Sequence, residues 1–410
     1  MIALDDLIAQ IWPLAKPVDG TDTVAIAHAH GRVLCVDLVS ALNVPQHDNS
    51  GMDGYAVRCS DLTDWPAGMP VSQRIPAGAS PQALQPGTVA RIFTGAPIPA
   101  GADAVVMQED VRVSEDGQVA FGVEPQPGQF IRRAGEDIAQ GQIVLRAGAI
   151  MDAVRVGLAA SIGVAQVQVR RRLRVGVLVT GSELQNPGEP LGPGKIYNSN
   201  EFVWVGLLKS MGCEVESVGI VPDNLQATCD AFSALAHCDA VISSGGVSVG
   251  EEDHVKPAIE RVGRLQSWKV AMKPGKPVAI GQIDAAVGHV CWFFGLPGNP
   301  VSSALAFQVL VKPFLAMLQG RTLAQVDWRQ RIQRVRAQFE WSKPDTRREE
   351  FVRVTLCHGE GGSEAILFGN QSSGVLTSLD QSTGVVRLSA GQRVAPGDWV
   401  NYISYQDLMA

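Results

Sequence analysis

Apolar positions recur at helical spacing in residues 3–15 (ALDDLIAQIWPLA), which predicts an amphipathic helix near the start of the chain. From about Pro45 to Gln129 the pattern changes to short alternating runs broken by Pro/Gly turns such as AGASP, QPGT and GAPIPAGAD, and this reads as a small β-rich subdomain. A junction follows at GQFIRRAGEDI, and residues 150–162 (IMDAVRVGLAASI) look helical again. From Leu173 strand and helix patterns alternate: LRVGVLVTG, NEFVWVGLLKSMG, EVESVGIV, LQATCDAFSALA, DAVISSGG, DHVKPAIERVG, HVCWFFGLPGNP and VSSALAFQVLVKPFLAML. These strands are apolar almost throughout, so residues 173–319 read as a three-layer α/β/α domain with a parallel-rich sheet. Lys312-Pro313 falls late in the last helix, where the proline is expected to kink it. After Gln319 alternating strands return (RIQRVRAQ, EEFVRVTL, EAILF, GVVRLSAG, DWVNYIS), predicting a C-terminal β domain. The Pro/Gly-rich stretch 186–195 (NPGEPLGPGK) reads as a loop inside the α/β domain.

With 410 residues the chain exceeds what one core organises, so roughly three or four domains are expected. A 46% apolar content with 43 Gly and 24 Pro describes a folded, turn-rich protein. The net charge of −7 argues against nucleic acid as a partner, and the one dense basic run, RRRLR at 170–174, reads as a domain junction. Seven scattered cysteines without a CxxC pair suggest neither a disulfide framework nor a zinc site. No leader and no apolar stretch long enough to span a bilayer stand out, so the expectation is a cytoplasmic protein without a membrane partner.

Chemistry concentrates where strands end. Residues 241–254 (VISSGGVSVGEEDH) pass from an apolar strand through a turn of glycines and serines into Glu251, Glu252 and Asp253. Backbone N–H groups at such a turn hold an oxyanion, and the carboxylates offer the oxygens that a phosphate-bound magnesium requires. An ordinary surface turn with an acidic helix start has the same text. Two further strands end in VLVTGSEL and GLPGNPVSS, and in a parallel sheet all three turns open on the same edge. They deliver Glu183, then Ser248 and Asp253, then Gly298, Asn299 and Pro300, the last suited to a first helical position. Lys273 and Lys276 in KPGK read either as phosphate-binding cations or as solvated turn charges. Glu183 is either a ligand or a helix cap, and Asp223 either a metal ligand or the cap of a helix beginning near Asn224.

The segments HDNSGMDGYAV, FTGAPIPAGADAVVMQED, IRRAGEDI, VTGSEL with PGKIYNSN, SSGGVSVGEEDHVK, MKPGKPVAIG and GLPGNPVSSALAF, in this order along essentially the whole chain, resemble the molybdopterin molybdenumtransferases. The resemblance implies a four-part subunit: a linker domain of residues 1–44 with 130–172, an inserted β-rich subdomain 45–129, a molybdopterin-binding α/β/α domain 173–319 like that of the MogA and MoaB proteins, and a C-terminal β domain 320–410. It implies a homodimer with a cleft between the α/β domain of one subunit and the β subdomains of the other. It further implies magnesium dependence, with adenylylated molybdopterin and molybdate as substrates and AMP as the leaving product. A molybdopterin adenylyltransferase upstream, and molybdoenzymes or their chaperones as recipients, are the partners it suggests.

Carried over by position, Asp53, Thr94, Asp137, Glu183 and Asp253 match the catalytic motifs. Ser243, Gly245, Gly246, Ser248, Lys273, Lys276, Pro297, Asn299, Pro300 and Arg348 match the substrate-binding motifs, with Arg347 the one-residue alternative to Arg348. Glu183, Asp223 and Asp253 match the metal ligands. The chain departs from the commonest pattern at Gly51, Ala134 and Ser182, where Ala, Arg and Asp are frequent. Ser182 removes one candidate ligand and leaves Glu183 more of that role. Rival readings are a molybdopterin adenylyltransferase or nucleotide pyrophosphatase, and a non-catalytic molybdopterin-binding scaffold.

Overall fold

A computed structural model describes residues 1–62, 68–244, 254–275, 277–359 and 362–409. The chain divides into two compact units, one of Thr23–His30 and Leu34–Val167, the other of Met1–Asp22, Gly31–Val33 and Gln168–Ala410.

The smaller unit is built on a four-stranded sheet of β1 (Gly54–Val57), β2 (Val71–Ile75), β3 (Val89–Ile92) and β4 (Ala104–Met107), in the order β2-β3-β1-β4. Tyr55, Val57, Val89, Ala104 and Val106 bury on one side, while Ala56, Ala90, Ile92 and Val105 bury on the other. Gly54 starts β1 where a Cβ would lie 1.9 Å from the Val106 carbonyl oxygen, so this position of the MDGYA motif admits no side chain.

The larger unit holds a six-stranded sheet: β5 (Arg174–Thr180), β6 (Glu214–Val221), β7 (Ala240–Ser244), β8 (Gly263–Lys269), β9 (Pro277–Ile283) and β10 (Cys291–Leu296), ordered β6-β5-β7-β10-β9-β8. The first four in that order run parallel, as the alternating pattern predicts. β9 and β8 instead return antiparallel, making the sheet mixed at one side. Val175, Val177, Val179, Ala240, Ile242, Phe294 and Leu296 face helices Leu4–Ile11 and Asn200–Ser210 and the long helix Pro300–Leu318. Leu178, Val241 and Phe293 face helices Leu225–Ala234 and Val255–Val262. The three layers follow from strands buried on both sides.

Pro300–Leu318 has the length and composition of a membrane-crossing helix, where the sequence reading found no apolar stretch long enough. It is wholly buried inside the fold. The helix continues through Pro313 by widening into a π-helical turn at Phe307–Val311. Pro313 has no N–H for the Val309 carbonyl four residues back. Trp328 Nε1 donates to that oxygen at 3.0 Å, and Trp12 Nε1 to the Leu310 oxygen at 3.3 Å.

β11 (Gln333–Ala337), β12 (Glu349–Gly359), β13 (Gly362–Leu367), β14 (Gly384–Leu388) and β15 (Trp399–Ser404) close into a barrel in the order β12-β13-β11-β15-β14, with β14 pairing back to β12. Met272–Lys273 adds to the barrel beside β12. The RRRLR run packs within the larger unit: Arg171 makes two hydrogen bonds, 2.7 and 2.8 Å, to the buried Asp239, and Arg172 donates to the Gly212 carbonyl.

Candidate functional site

Thr180, Val221, Ser244 and Leu296 end four adjacent parallel strands within one residue of register, so the turns that follow share one edge. After β5 the chain enters no helix. Leu184–Gln185 instead pairs in parallel with Ile196–Tyr197 across the 186–195 loop, so Glu183 caps nothing and its exposed carboxylate is available at the edge. Gly181 has φ +151, and a Cβ there would lie 2.7 and 2.8 Å from the two Glu183 carboxylate oxygens. Glycine is therefore what lets Glu183 fold back over the turn.

Asp223 does not cap the next helix either. Asn224 does, its Oδ1 accepting from the Ala227 N–H at 2.8 Å. Asp223 Oδ2 accepts from the Ser182 N–H at 2.9 Å, tying the TGSEL and VPD turns together. Lys195, which no motif assignment singled out, donates to the Ser182 carbonyl and adds a cation at this turn. Its signal in the sequence is its place in PGKIYNSN.

In the third turn Pro297 is buried, Asn299 is exposed, and Pro300 occupies the start of the helix, as expected. Asn299 provides no side-chain cap; the Val301 N–H goes to the Ser373 carbonyl at 3.0 Å, placing the NQSSG loop of the barrel domain against this helix end. Asn200 Nδ2 donates to the Gly298 carbonyl at 2.7 Å, so the N-terminus of helix Asn200–Ser210 adjoins the same turn. Ser243 is fully buried within β7, and its Oγ has no hydrogen-bond partner among the described residues. Gly245, Gly246, Ser248, Asp253 and Lys276 lie outside the described residues.

Lys273 is not a merely solvated turn charge. Its Nζ lies 2.8 Å from Glu350 Oε1, while Glu350 Oε2 accepts from Trp341 Nε1 at 2.8 Å and the Asp345 N–H at 2.9 Å. Burial alone would push Glu350 up, but these hydrogen bonds outweigh it and hold its carboxyl below the ordinary value. Nearby in sequence, Arg348 is taken up by Asp345 at 2.6 and 2.8 Å. Arg347 is exposed and has no ion-pair partner among the described residues.

In the smaller unit Asp53 Oδ1 accepts from both the N–H and the hydroxyl of Thr94, each at 2.7 Å. The backbone and hydroxyl bonds from Thr94, with lesser help from the Arg91 charge, hold the exposed Asp53 carboxyl below its usual range. Arg91 sits 4.8 Å and Arg74 4.5 Å from the centre of the Phe93 ring. Asp137 is exposed; its N–H bonds the Val44 carbonyl, and its carboxylate has no hydrogen-bond partner among the described residues. Arg133 pairs with Asp48 at 2.6 Å. The structure thus joins Asp53 with Thr94 and ties Asp223 to Ser182, the residue before Glu183.

A three-layer domain with carboxylates and helix starts on its carboxyl edge, in one chain with a β barrel and a β-rich unit, defines a multidomain α/β protein. Three family models cover most of the chain: "MoeA N-terminal region (domain I and II)" over residues 2–163, "Probable molybdopterin binding domain" over 176–317, and "MoeA C-terminal region (domain IV)" over 334–405. The molybdopterin molybdenumtransferase of Haemophilus influenzae is 46% identical over 323 residues, 78% of each chain. That of a Nostoc species is 37% identical over 395 residues, 94% of this chain and 89% of the relative. A crystal structure of the molybdopterin biosynthesis MoeA protein from Pyrococcus horikoshii superposes with a TM-score of 0.80 at 26% identity, covering 98% of this chain and 100% of the other. The chain belongs to the molybdopterin molybdenumtransferase family, enzymes of molybdenum cofactor biosynthesis.

Proposed function

We propose that this enzyme inserts molybdenum from molybdate into the dithiolene of adenylylated molybdopterin, cleaving the phosphoanhydride and releasing AMP, as a magnesium-dependent cytoplasmic homodimer. The observation that carries the reading is the carboxylate pair on the carboxyl edge: Glu183 folded over Gly181, and Asp223 tied to the adjoining turn through Ser182. The donor set suits a hard cation, because both groups are carboxylates and Asp223 commits only Oδ2 to the Ser182 N–H. Glu183 and Asp223, with Asp253 from the sequence, would hold magnesium. When bound, magnesium supplies charge neutralisation at the departing phosphate.

The chain's own groups do the rest. Lys195 and Lys273 bring positive charge to the turns, and Arg347 offers the guanidinium that Arg348 has already given to Asp345. The start of helix Pro300–Leu318 presents the positive end of a helix dipole to the same edge. Asp53, kept ionised by Thr94, is an acceptor for a proton or for a substrate donor, and its Oδ2 remains open for that role. Both sulfur ligands for molybdenum belong to the pterin, so the scattered cysteines are not called upon. The substrate comes from a molybdopterin adenylyltransferase, and the product goes to molybdoenzymes or their chaperones.

The test is chromatographic detection of AMP and metallated cofactor after mixing the protein with adenylylated molybdopterin, magnesium and molybdate. Synthesis of the adenylylated pterin from ATP and molybdopterin would identify an adenylyltransferase instead. Binding without turnover would identify a scaffold.

A further inference from the structure

Three donor side chains meet at the edge of the α/β sheet opposite the strands' carboxyl ends. Glu216 lies near the start of β6, and His237 and Cys238 occupy the turn that leads into β7. β6 and β7 flank β5 on its two sides, so the sheet brings together residues that no spacing in the sequence relates. His237 Nε2 is 2.9 Å from Glu216 Oε2, Cys238 Sγ is 3.8 Å from the same nitrogen, and the three ligand atoms lie within 4.8 Å of one another.

The imidazole is the informative group. Its Nδ1 is 2.9 Å from the Ala234 carbonyl oxygen, which can only accept, so Nδ1 carries the N–H. A neutral ring has a single N–H. Nε2 then turns a lone pair toward a carboxylate oxygen, and that contact is favourable only with a cation shared between them or a second proton on the ring. The Nδ1–H bond to a backbone carbonyl is also the outer contact that orients metal-binding histidines.

We propose that Glu216, His237 and Cys238 bind a divalent cation of the zinc class, with water completing the coordination. Tetrahedral zinc at about 2.0–2.3 Å from its ligands sets those ligands roughly 3.3–3.8 Å apart; the Cys238–His237 separation of 3.8 Å already matches, and the 2.9 Å between His237 and Glu216 has to open by a few tenths of an ångström. The Glu216 and His237 side chains are half-exposed and free to adjust, while the Cys238 sulfur is buried against the ring. The thiol releases its proton to solvent as the Cys–metal bond forms. Imidazole and thiolate donors favour zinc over magnesium, so this site and the all-oxygen edge select different ions. The expectation of no zinc site rested on missing CxxC spacing, a signal that an assembly across three strands does not need.

The experiment is titration of the chelator-treated full-length protein with cobalt(II) chloride, followed by optical absorption. One equivalent should bind with a thiolate-to-cobalt charge-transfer band in the near ultraviolet. Cys238→Ser should abolish the band. His237→Asn should weaken binding at least tenfold and, being a change at a half-exposed position, remains informative if the buried serine variant misfolds. Cys357→Ser, at the exposed cysteine beside His358, should leave the band intact. No band in the wild type would leave a plain imidazolium–carboxylate pair, and a band that survives Cys238→Ser or His237→Asn, or vanishes with Cys357→Ser, would place the metal elsewhere. Each of these results overturns the proposal.

Discussion

Replacing Lys273 by methionine separates its structural duty from its proposed catalytic one. The variant keeps the aliphatic stem and removes the ammonium that sits 2.8 Å from Glu350. Glu350 is 2% exposed and retains two of its three partners, the Trp341 indole and the Asp345 N–H. Losing one partner of a buried charge pair costs about 3–5 kcal/mol at most. Lys273 itself is 45% exposed, so solvent screening reduces the effect to about 1–2 kcal/mol. That corresponds to roughly a 5–30-fold fall in the folded-to-unfolded ratio. Glu350 has a folded-state pKa below its ordinary 4.5, so its stabilisation is fully present above that value and is lost as pH falls through the depressed one. In Lys273→Met the carboxyl rises, and the loss begins at higher pH. Urea unfolding from pH 7 down to pH 4 should therefore show a lower midpoint for the variant at neutral pH and an earlier decline on acidification. AMP release assayed at a temperature where both proteins are folded should show a raised KM, from the missing charge on the substrate. Identical midpoints and identical acid profiles for the two proteins would refute the claim that Lys273 anchors this carboxylate.

Gly181→Ala should displace Glu183, because the new Cβ would meet both carboxylate oxygens; AMP release should drop by at least tenfold at limiting magnesium with the circular dichroism unchanged, and a fully active variant would remove Glu183 from the site. If active sites combine Asp53 of one subunit with Glu183 of the other, mixed dimers of Asp53→Ala and Glu183→Ala should recover up to about half of the wild-type rate, whereas inert mixed dimers would put both residues to work in the same chain. Burial pushes the Cys213 thiol up to about 12 and the Cys291 thiol higher still, so Cys213→Ala and Cys291→Ala should retain AMP release and metal insertion, losing only about 1 kcal/mol of stability in urea. A folded variant of either kind that fails to insert metal would bring a protein thiol into the reaction.

The strands β5, β7 and β10 were legible because a strand buried on both faces reads as a nearly uninterrupted apolar run, whereas the edge strand β6 (EVESVGIV) showed through the alternation of strand and helix patterns around it. β8 and β9 were missed: GRLQSWK is mixed in polarity, and PVAIGQI lies next to a Pro/Gly turn that masked it. The residue types of the edge were legible, yet their duties required coordinates. Asp223 and Asn224 are both good caps by chemistry, and only the hydrogen bond to Ala227 shows which one serves. Glu183 precedes a loop whose parallel pairing of Leu184–Gln185 with Ile196–Tyr197 has no local signature. Arg347 and Arg348 are adjacent and chemically alike, and are told apart by a single aspartate, Asp345. Glu216, His237 and Cys238 share no motif at all.

The buried helix Pro300–Leu318 has a consequence for how the chain is made. Alone in water, or emerging from a ribosome, so apolar a segment is attractive to membranes, to chaperones and to other copies of itself. The order of synthesis limits that exposure. Helix Leu4–Ile11 and residues of β5, β7, β9 and β10, which share its core, precede it in the chain, as does Trp12, which donates to its Leu310 carbonyl. Trp328, which covers the carbonyl left open by Pro313, follows within ten residues of the helix end. The segment that most needs a folded host is thus translated after the α/β sheet it packs on, and the later barrel residues Phe351, Val385 and Ile403 complete the same core.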